Sequence, residues 1–261
     1  MNNVKRIRLT MLFLSLLNPN LLVGADPFAP CDPAIVQKIY QTLLDVHDFF
    51  IYCDIPYWVD SGTLLGAVRH RGLIPWDDDL DLCIFEKDEQ EFLKLFPILA
   101  AAGYAIIGMP FGYKIYPLDG VAIKNKPWKH PGCDIFIMIT DGENMFYKHR
   151  FRKETSANLE VAMSDIFPLR TYTFGPILVT GPRNPIPYLN NWYGKDYLEY
   201  AYRYYDHATE ERIEKATKPL SKDDYKPAVP SAPLKHHIMP VVVALWPGDF
   251  VDGYAQLCGC N

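Results

Sequence analysis

The sequence predicts an α+β (mixed α/β) fold, in which helices pack on a sheet of parallel and antiparallel strands. Residues 33–50 carry apolar side chains at helical spacing, which indicates a long amphipathic helix. Residues 80–85 alternate apolar side chains with Asp81, Cys83 and Phe85, a pattern typical of a strand. Strands and helices follow one another without a strict β-α-β repeat, which favours a mixed sheet over a purely parallel one.

The first half of the chain predicts its elements most clearly. Asp32 can cap the first helix, and Pro33 suits its first turn, because the N–H that proline lacks would have no partner there. A second amphipathic helix over 87–101 ends before Gly103, as helices often do. The other predicted elements are a helix over 62–70 and strands over 57–59, 80–85, 104–109, 113–116 and 133–140.

The second half of the chain gives weaker patterns. Residues 167–179 predict short strands and turns, and residues 186–205 predict a helical region. Residues 217–240 are rich in Lys, Asp and Pro, which indicates an extended, mobile stretch in which His236 and His237 are solvated. Four tyrosines at helical spacing are expected to pack rather than to bind a substrate: Tyr197, Tyr200, Tyr204 and Tyr205.

The N-terminal residues 1–25 have the pattern of a targeting segment. Three basic residues lie within 5–8, residues 9–17 are apolar and residues 23–25 are small. We expect a cleaved signal peptide, with an uncleaved anchor or a cytosolic helix as alternatives. The expected location is the secretory pathway, with membrane association through the N-terminus as an option. The predicted division is a leader over 1–25, a main domain over 26–215 and a Pro-rich extension over 216–261.

The composition suits a globular protein and argues against nucleic acid as a partner. Hydrophobic residues make up 49% of the chain, and the formal charge of -5 is mild, whereas nucleic-acid binding favours a basic face.

Export would permit disulfides, for which Cys31 with Cys53 and Cys258 with Cys260 are candidate pairs. Two further cysteines lie in apolar runs and are expected to be buried thiols: Cys83 and Cys133.

Asp79 and Asp81 are the first candidate site residues. Residues two apart on a strand point to the same face, so these carboxylates project together. Their repulsion would be relieved by a divalent cation, and Mg²⁺ or Mn²⁺ prefers such oxygen ligands. Acidic clusters are more often solvated loops, and Asp77 and Asp78 fit that simpler interpretation. The run of carboxylates leads directly into an apolar strand, however, which favours a metal site.

Gly62 and Thr63 open the predicted helix that precedes the acidic run. Backbone N–H groups at a helix start can hold a phosphate, so this pair is a candidate phosphate cradle. A glycine that only permits a turn is the simpler alternative. Along the chain, the sequence therefore predicts a phosphate-binding helix start at 62–63, followed by a metal-binding pair of carboxylates at positions 79 and 81.

Residues 62–72 and 74–81, which read GTLLGAVRHRG and IPWDDDLD, closely resemble the signature of the LicD family. That family includes bacterial phosphocholine transferases and is related to fukutin and fukutin-related ribitol-phosphate transferases. Weaker similarity continues through Asp134-Ile135-Phe136 and as far as about residue 205. The resemblance implies a nucleotidyltransferase-like fold, and a LicD domain over 26–215.

The LicD resemblance also implies an activity and a set of site residues. It implies transfer of a phosphoalcohol from a CDP-linked donor to a glycan hydroxyl, with release of CMP. Asp79 and Asp81 match the metal-binding pair of the family, and Asp134 matches the expected third carboxylate. Asp134 would complete the metal site or accept the proton of the attacking hydroxyl. A strand-edge aspartate without such a role is the alternative.

Arg69 and Lys114 are candidate ligands of the donor phosphates. The guanidinium group of Arg69 offers a bidentate fork after the predicted helix, and Lys114 lies on a predicted strand. Solvent-exposed basic side chains are the alternative for both.

Two other functions of the protein stay open: a catalytically silent glycan-binding or escort protein, and a nucleotidyltransferase that uses a nucleoside triphosphate.

Overall fold

The computed structural model describes residues 26–94, 96–148, 160–238 and 240–241. The predicted leader and the pair Cys258 and Cys260 lie outside these residues. Among the helices that the structure describes, none combines the length and the apolar character needed to cross a bilayer.

A seven-stranded mixed sheet forms the centre of the molecule, which confirms the predicted α+β class. Its main strand order is β1-β2-β7-β4-β3, and β8 joins β7 to β9 at one side. The strands are β1 (Tyr57–Val59), β2 (Leu80–Phe85), β3 (Tyr104–Met109), β4 (Gly112–Pro117), β5 (Val121–Ala122), β6 (Lys129–His130), β7 (Cys133–Thr140), β8 (Asn144–Tyr147) and β9 (Val161–Ala162), followed by β10 (Arg170–Phe174), β11 (Ile177–Gly181), β12 (Tyr200–Asp206) and β13 (Glu211–Pro219).

The helices of the described chain are short except for the first. They are α1 (Pro33–Tyr52), α2 (Ser61–Arg69), α3 (Glu89–Lys94), α4 (Phe96–Ala101), α5 (Met163–Ile166) and α6 (Ile186–Tyr193). The Asp32 carboxylate accepts a hydrogen bond from the Ala34 N–H at 2.7 Å, so Asp32 caps α1 as predicted.

The sheet has one apolar face and one face that carries charge. Strands β2 and β7 are parallel, and Leu82 and Ile84 pair with Ile135 and Ile137 on the buried apolar face. Aromatic packing joins α1 to this core, since the Phe50 and Tyr57 rings stack with centroids 5.2 Å apart. Side chains alternate along a strand, so Asp81 lies on the opposite face.

Two predicted helical regions differ from the structure. The region 87–101 divides into a short 3₁₀ helix (Glu86–Asp88), α3 and α4. The region 186–205 is helical only in α6, and from Tyr200 the chain forms β12, which pairs with β13 as an antiparallel hairpin. Aromatic residues also favour strands, and pairing with the next strand, β13, overrides the helical spacing of these tyrosines.

The C-terminal segment 220–238 packs on the domain, contrary to the predicted mobile stretch. The Ala228 N–H donates to Leu73 O at 2.9 Å, and the Tyr40 hydroxyl donates to Ala228 O at 2.8 Å. His237 Nδ1 lies 3.0 Å from a carboxylate oxygen of the buried Asp45, and Ile238 is fully buried. The predicted boundary at residue 215 falls inside β13.

The described cysteines are free thiols. Cys31 and Cys53 form no disulfide, so the predicted pairing of these two residues is wrong. Cys83 and Cys133 are fully buried in the core, as predicted.

Candidate active site

The register of three neighbouring strands brings charged side chains into one row. Asp81 on β2 pairs with Asp134 on β7, and Asp134 pairs in turn with Lys114 on β4. Directly paired residues on adjacent strands point to the same face of the sheet. Asp79 precedes β2 by one residue and therefore projects on the same side as Asp81.

Asp79, Asp81 and Asp134 converge. Each offers an oxygen atom, and these atoms lie within 4.8 Å of one another. All three residues are buried. Burial raises the pKa of all three carboxyls, and the negative charge of its neighbours raises the pKa of Asp79 and of Asp81 further.

Lys114 supplies one positive charge to this row. Its ammonium group lies 2.6 Å from Asp134 Oδ1 and 3.7 Å from Glu210 Oε1. Burial alone would lower the pKa of Lys114, but the ion pair with Asp134 and the negative charges of Asp79 and Glu210 together outweigh burial, so the pKa is raised. Lys114 therefore stays charged and offsets part of the negative charge.

The three carboxylates fit a divalent cation. They are oxygen donors on one side of the sheet, and their negative charge exceeds what the single lysine can neutralise. A hard divalent cation accepts such a ligand set and commonly completes its shell with water and substrate phosphates. The sequence prediction of Mg²⁺ or Mn²⁺ therefore has a suitable donor set, although the identity of the ion stays a prediction.

The start of α2 positions Asp81. The Asp81 N–H donates to Thr63 Oγ1 at 2.8 Å, and the Gly62 N–H donates to Asp81 Oδ2 at 3.1 Å. A Cβ atom at position 62 would lie 2.9 Å from Asp77 Oδ2, so a side chain there would displace the Asp77 carboxylate. The Gly62 N–H has a partner inside the protein, and the phosphate contact predicted for Gly62 and Thr63 stays a prediction.

Arg69 joins α2 to the β12–β13 hairpin. Its guanidinium group donates to Tyr197 O at 2.6 Å and to Tyr200 O at 3.3 Å. Burial lowers the pKa of Arg69 to about 10, at which the side chain remains charged near neutral pH. The side chain lines the cavity described next, and its two carbonyl contacts give it a structural role that the sequence did not indicate.

A large cavity opens beside the carboxylates. Its volume is about 880 Å³, which is within the range of small-molecule sites. Its walls combine the acidic row and Lys114 with aromatic residues of α6, β12 and other segments, among them Phe111, Trp128, Phe136, Trp192, Tyr193 and Tyr204. The cavity therefore offers charge and stacking surfaces together.

Three residues of the β12–β13 hairpin were missed by the sequence analysis. His207 Nδ1 lies 3.2 Å from Asp79 Oδ2, Glu210 contacts Lys114, and Arg203 Nη2 lies 3.8 Å from Asp78 Oδ2. All three follow the acidic run by more than a hundred residues, in or just beyond a region predicted to be helical. No local spacing connects them to the carboxylates.

The fold and the site define a class: a mixed-sheet protein with three convergent carboxylates beside a glycine-threonine helix start and a substrate-sized cavity. Residues 54–184 match the family described as LicD/FKTN/FKRP, nucleotidyltransferase domain. The chain belongs to the LicD family, as the resemblance of its acidic segment indicated.

Three relatives illustrate the range of the family. An uncharacterised protein of Rickettsia typhi is 37% identical over 206 residues, which cover 77% of this chain and 61% of that protein. The lipopolysaccharide cholinephosphotransferase LicD of Haemophilus influenzae is 43% identical over 54 residues, 19% of this chain and 20% of the enzyme. The ribitol-5-phosphate transferase FKTN of Mus musculus is 28% identical over 177 residues, 66% of this chain and 34% of that enzyme.

Proposed function

We propose that the protein is a metal-dependent transferase that moves a phosphoalcohol, phosphocholine or a polyol phosphate, from a CDP-linked donor to a glycan hydroxyl. The observation that carries this proposal is the convergence of Asp79, Asp81 and Asp134 at a cavity large enough for a nucleotide-linked donor. The names of two relatives, a cholinephosphotransferase and a ribitol-5-phosphate transferase, support the class of transferred group.

In this proposal the carboxylates of the acidic row would hold Mg²⁺ or Mn²⁺, which would supply positive charge next to the donor diphosphate. Thr63 and Gly62 keep Asp81 in position, and Lys114 limits the repulsion around Asp134. The bond between phosphorus and the CMP oxygen breaks, and a bond from phosphorus to the acceptor oxygen forms. Asp134 would either complete the ligand set of this ion or accept the proton of the attacking hydroxyl.

We further propose that residues 1–25 direct the protein into a secretory pathway and that the catalytic domain begins near residue 26 and includes all of β13 and the segment 220–238. The pattern of basic, apolar and small residues in the leader supports the first proposal. Fractionation of cells that express the full chain, compared with a chain that lacks residues 1–25, tests it. Equal distribution of the two chains would contradict export.

CMP release from CDP-choline and from CDP-ribitol, with Mn²⁺ and with EDTA, tests the proposed reaction. We expect release in Mn²⁺, none in EDTA, and a loss of at least about 10³-fold in the double variant Asp79→Asn with Asp81→Asn, because several kcal/mol of charge stabilisation disappear. Asp223→Asn, an exposed residue outside the cavity, is the matched control. Pyrophosphate release from a nucleoside triphosphate without CMP release would favour nucleotidyl transfer instead.

A further inference from the structure

The turn of the β12–β13 hairpin reaches the acidic row. His207 is the first residue after β12, and its Nδ1 atom lies 3.2 Å from Asp79 Oδ2. Asp78, Asp79 and His207 each offer one ligand atom, and these three atoms lie within 4.8 Å of one another. Asp79 thus belongs to two convergent sets, one made of three carboxylates and one that includes an imidazole.

The imidazole of His207 is held in place by the hairpin itself. The Tyr205 ring packs edge-on against it with centroids 4.8 Å apart. The Tyr205 hydroxyl and the Trp128 indole N–H both donate to the Glu210 carboxylate at 3.1 Å. Support of this kind around a ligand residue reduces the freedom that the side chain would lose on binding an ion.

Asp78 keeps lone pairs available for a ligand. Arg203 Nη2 and His130 Nε2 lie 3.8 and 3.9 Å from Asp78 Oδ2, which is beyond hydrogen-bond distance. Arg203 directs its donors elsewhere, to Pro27 O at 2.8 Å and to Tyr205 O at 3.3 Å. Arg203 offsets part of the negative charge of Asp78 without occupying its coordination positions, whereas burial lowers the pKa of His130 to about 4 and leaves that imidazole neutral.

We propose that Asp78, Asp79 and His207 form a second cation site that selects a first-row transition metal over Mg²⁺. The inference rests on the proposed function, in which the neighbouring carboxylates hold a divalent ion. Mg²⁺ prefers oxygen ligands and a shell of water, whereas Co²⁺ and Zn²⁺ accept imidazole nitrogen readily. The ion would hold the hairpin turn, which already reaches Asp79, against the acidic row.

Titration of the full chain with Co²⁺ and with Mg²⁺, by calorimetry and by visible absorption of bound Co²⁺, tests the second site. We expect two bound Co²⁺ ions per chain. His207→Ala should bind one, with the lost site weakened by at least about tenfold, while Mg²⁺ affinity changes less than about twofold. His207→Asp should restore a second site with a smaller preference for Co²⁺ over Mg²⁺, because its new ligand atom is oxygen.

His236→Ala is the matched control, since this histidine also pairs with an aspartate, Asp48, but does not line the cavity. The His236→Ala variant should bind two Co²⁺ ions.

If His207 serves only as a positive charge beside Asp79, its removal would tighten Co²⁺ and Mg²⁺ binding alike, and the proposal would be overturned. One Co²⁺ ion in the unaltered chain would also overturn it while leaving the proposed function intact. Absence of any bound ion would overturn both, and circular dichroism verifies that each variant is folded.

Discussion

At the scale of single residues, Thr63 shows how the site is supported from outside the carboxylate row. Its side chain is buried, and its hydroxyl accepts the Asp81 N–H from a different element of the chain. This hydrogen bond links the start of α2 to β2. Thr63 therefore supports the charged row through the backbone and needs no contact with a metal or a substrate to do so.

Thr63→Val should lower the free energy of unfolding by about 1–3 kcal/mol, because valine keeps the shape but leaves the buried Asp81 N–H without an acceptor. Urea unfolding at neutral pH measures the change. Thr173→Val, on an exposed position of β10, is the control and should change stability by less than about 0.5 kcal/mol. Equal stability of the two variants would show that the Thr63 hydroxyl is not needed.

At the scale of elements, the β12–β13 hairpin carries most of what the sequence did not predict. The two strands β2 and β7 and helix α2 were predicted within one or two residues, because each has a clear local period. The hairpin depends on pairing between strands whose tyrosines also fit a helix. Its contacts with the acidic row, through His207 and Glu210, depend on that pairing and have no local signal.

Arg69→Met should loosen the hairpin. The guanidinium group satisfies two carbonyls at the entrance to β12, and we expect a loss of about 1.5–3 kcal/mol when these charge-assisted bonds disappear. Limited proteolysis should then cut within 197–211 faster than in the unaltered protein. Arg71→Met, at an exposed position two residues further on, is the control. Unchanged protection of the hairpin would contradict the role assigned to Arg69.

At the scale of the whole molecule, local sequence patterns predicted individual strands and the face on which their acidic residues lie. They did not predict which strands pair with one another. Asp79 and Asp81 follow from a period of two, whereas the position of Asp134 beside Asp81 requires the parallel register of β2 with β7. Such register joins residues about fifty positions apart and is set by the packing of the whole core. The resemblance to LicD proteins identified Asp134; composition and spacing alone did not.

Two carboxyls beside the charged row, Asp77 and Asp78, should make the stability of the folded chain depend on pH. Burial and a neighbouring carboxylate raise the pKa of Asp77 to about 7, and burial raises the pKa of Asp78 to about 6. Between about pH 4 and pH 7 the metal-free folded chain therefore binds more protons at these groups than the unfolded chain does. Their contribution to stability is present at low pH and is lost as the pH rises through these values.

In EDTA, Asp77→Asn should therefore gain stability relative to the unaltered protein between pH 5 and pH 8, by at least about 1 kcal/mol. Thermal unfolding across this pH range measures the difference, and Mn²⁺ should reduce it, because a bound cation stabilises the ionised carboxylates. Asp223→Asn, which is exposed, should show no such trend with pH. A stability difference that does not change with pH would contradict the assigned titration.

Gly72 stands where three distant parts of the chain meet. A Cβ atom there would lie 2.8 Å from the Tyr40 hydroxyl of α1, 2.8 Å from Pro227 Cβ and 3.1 Å from the Gly175 nitrogen in the β10–β11 turn. One added methyl group would therefore clash with all three segments. Glycine thus occupies a junction of three segments at which a larger residue would force at least one of them to move.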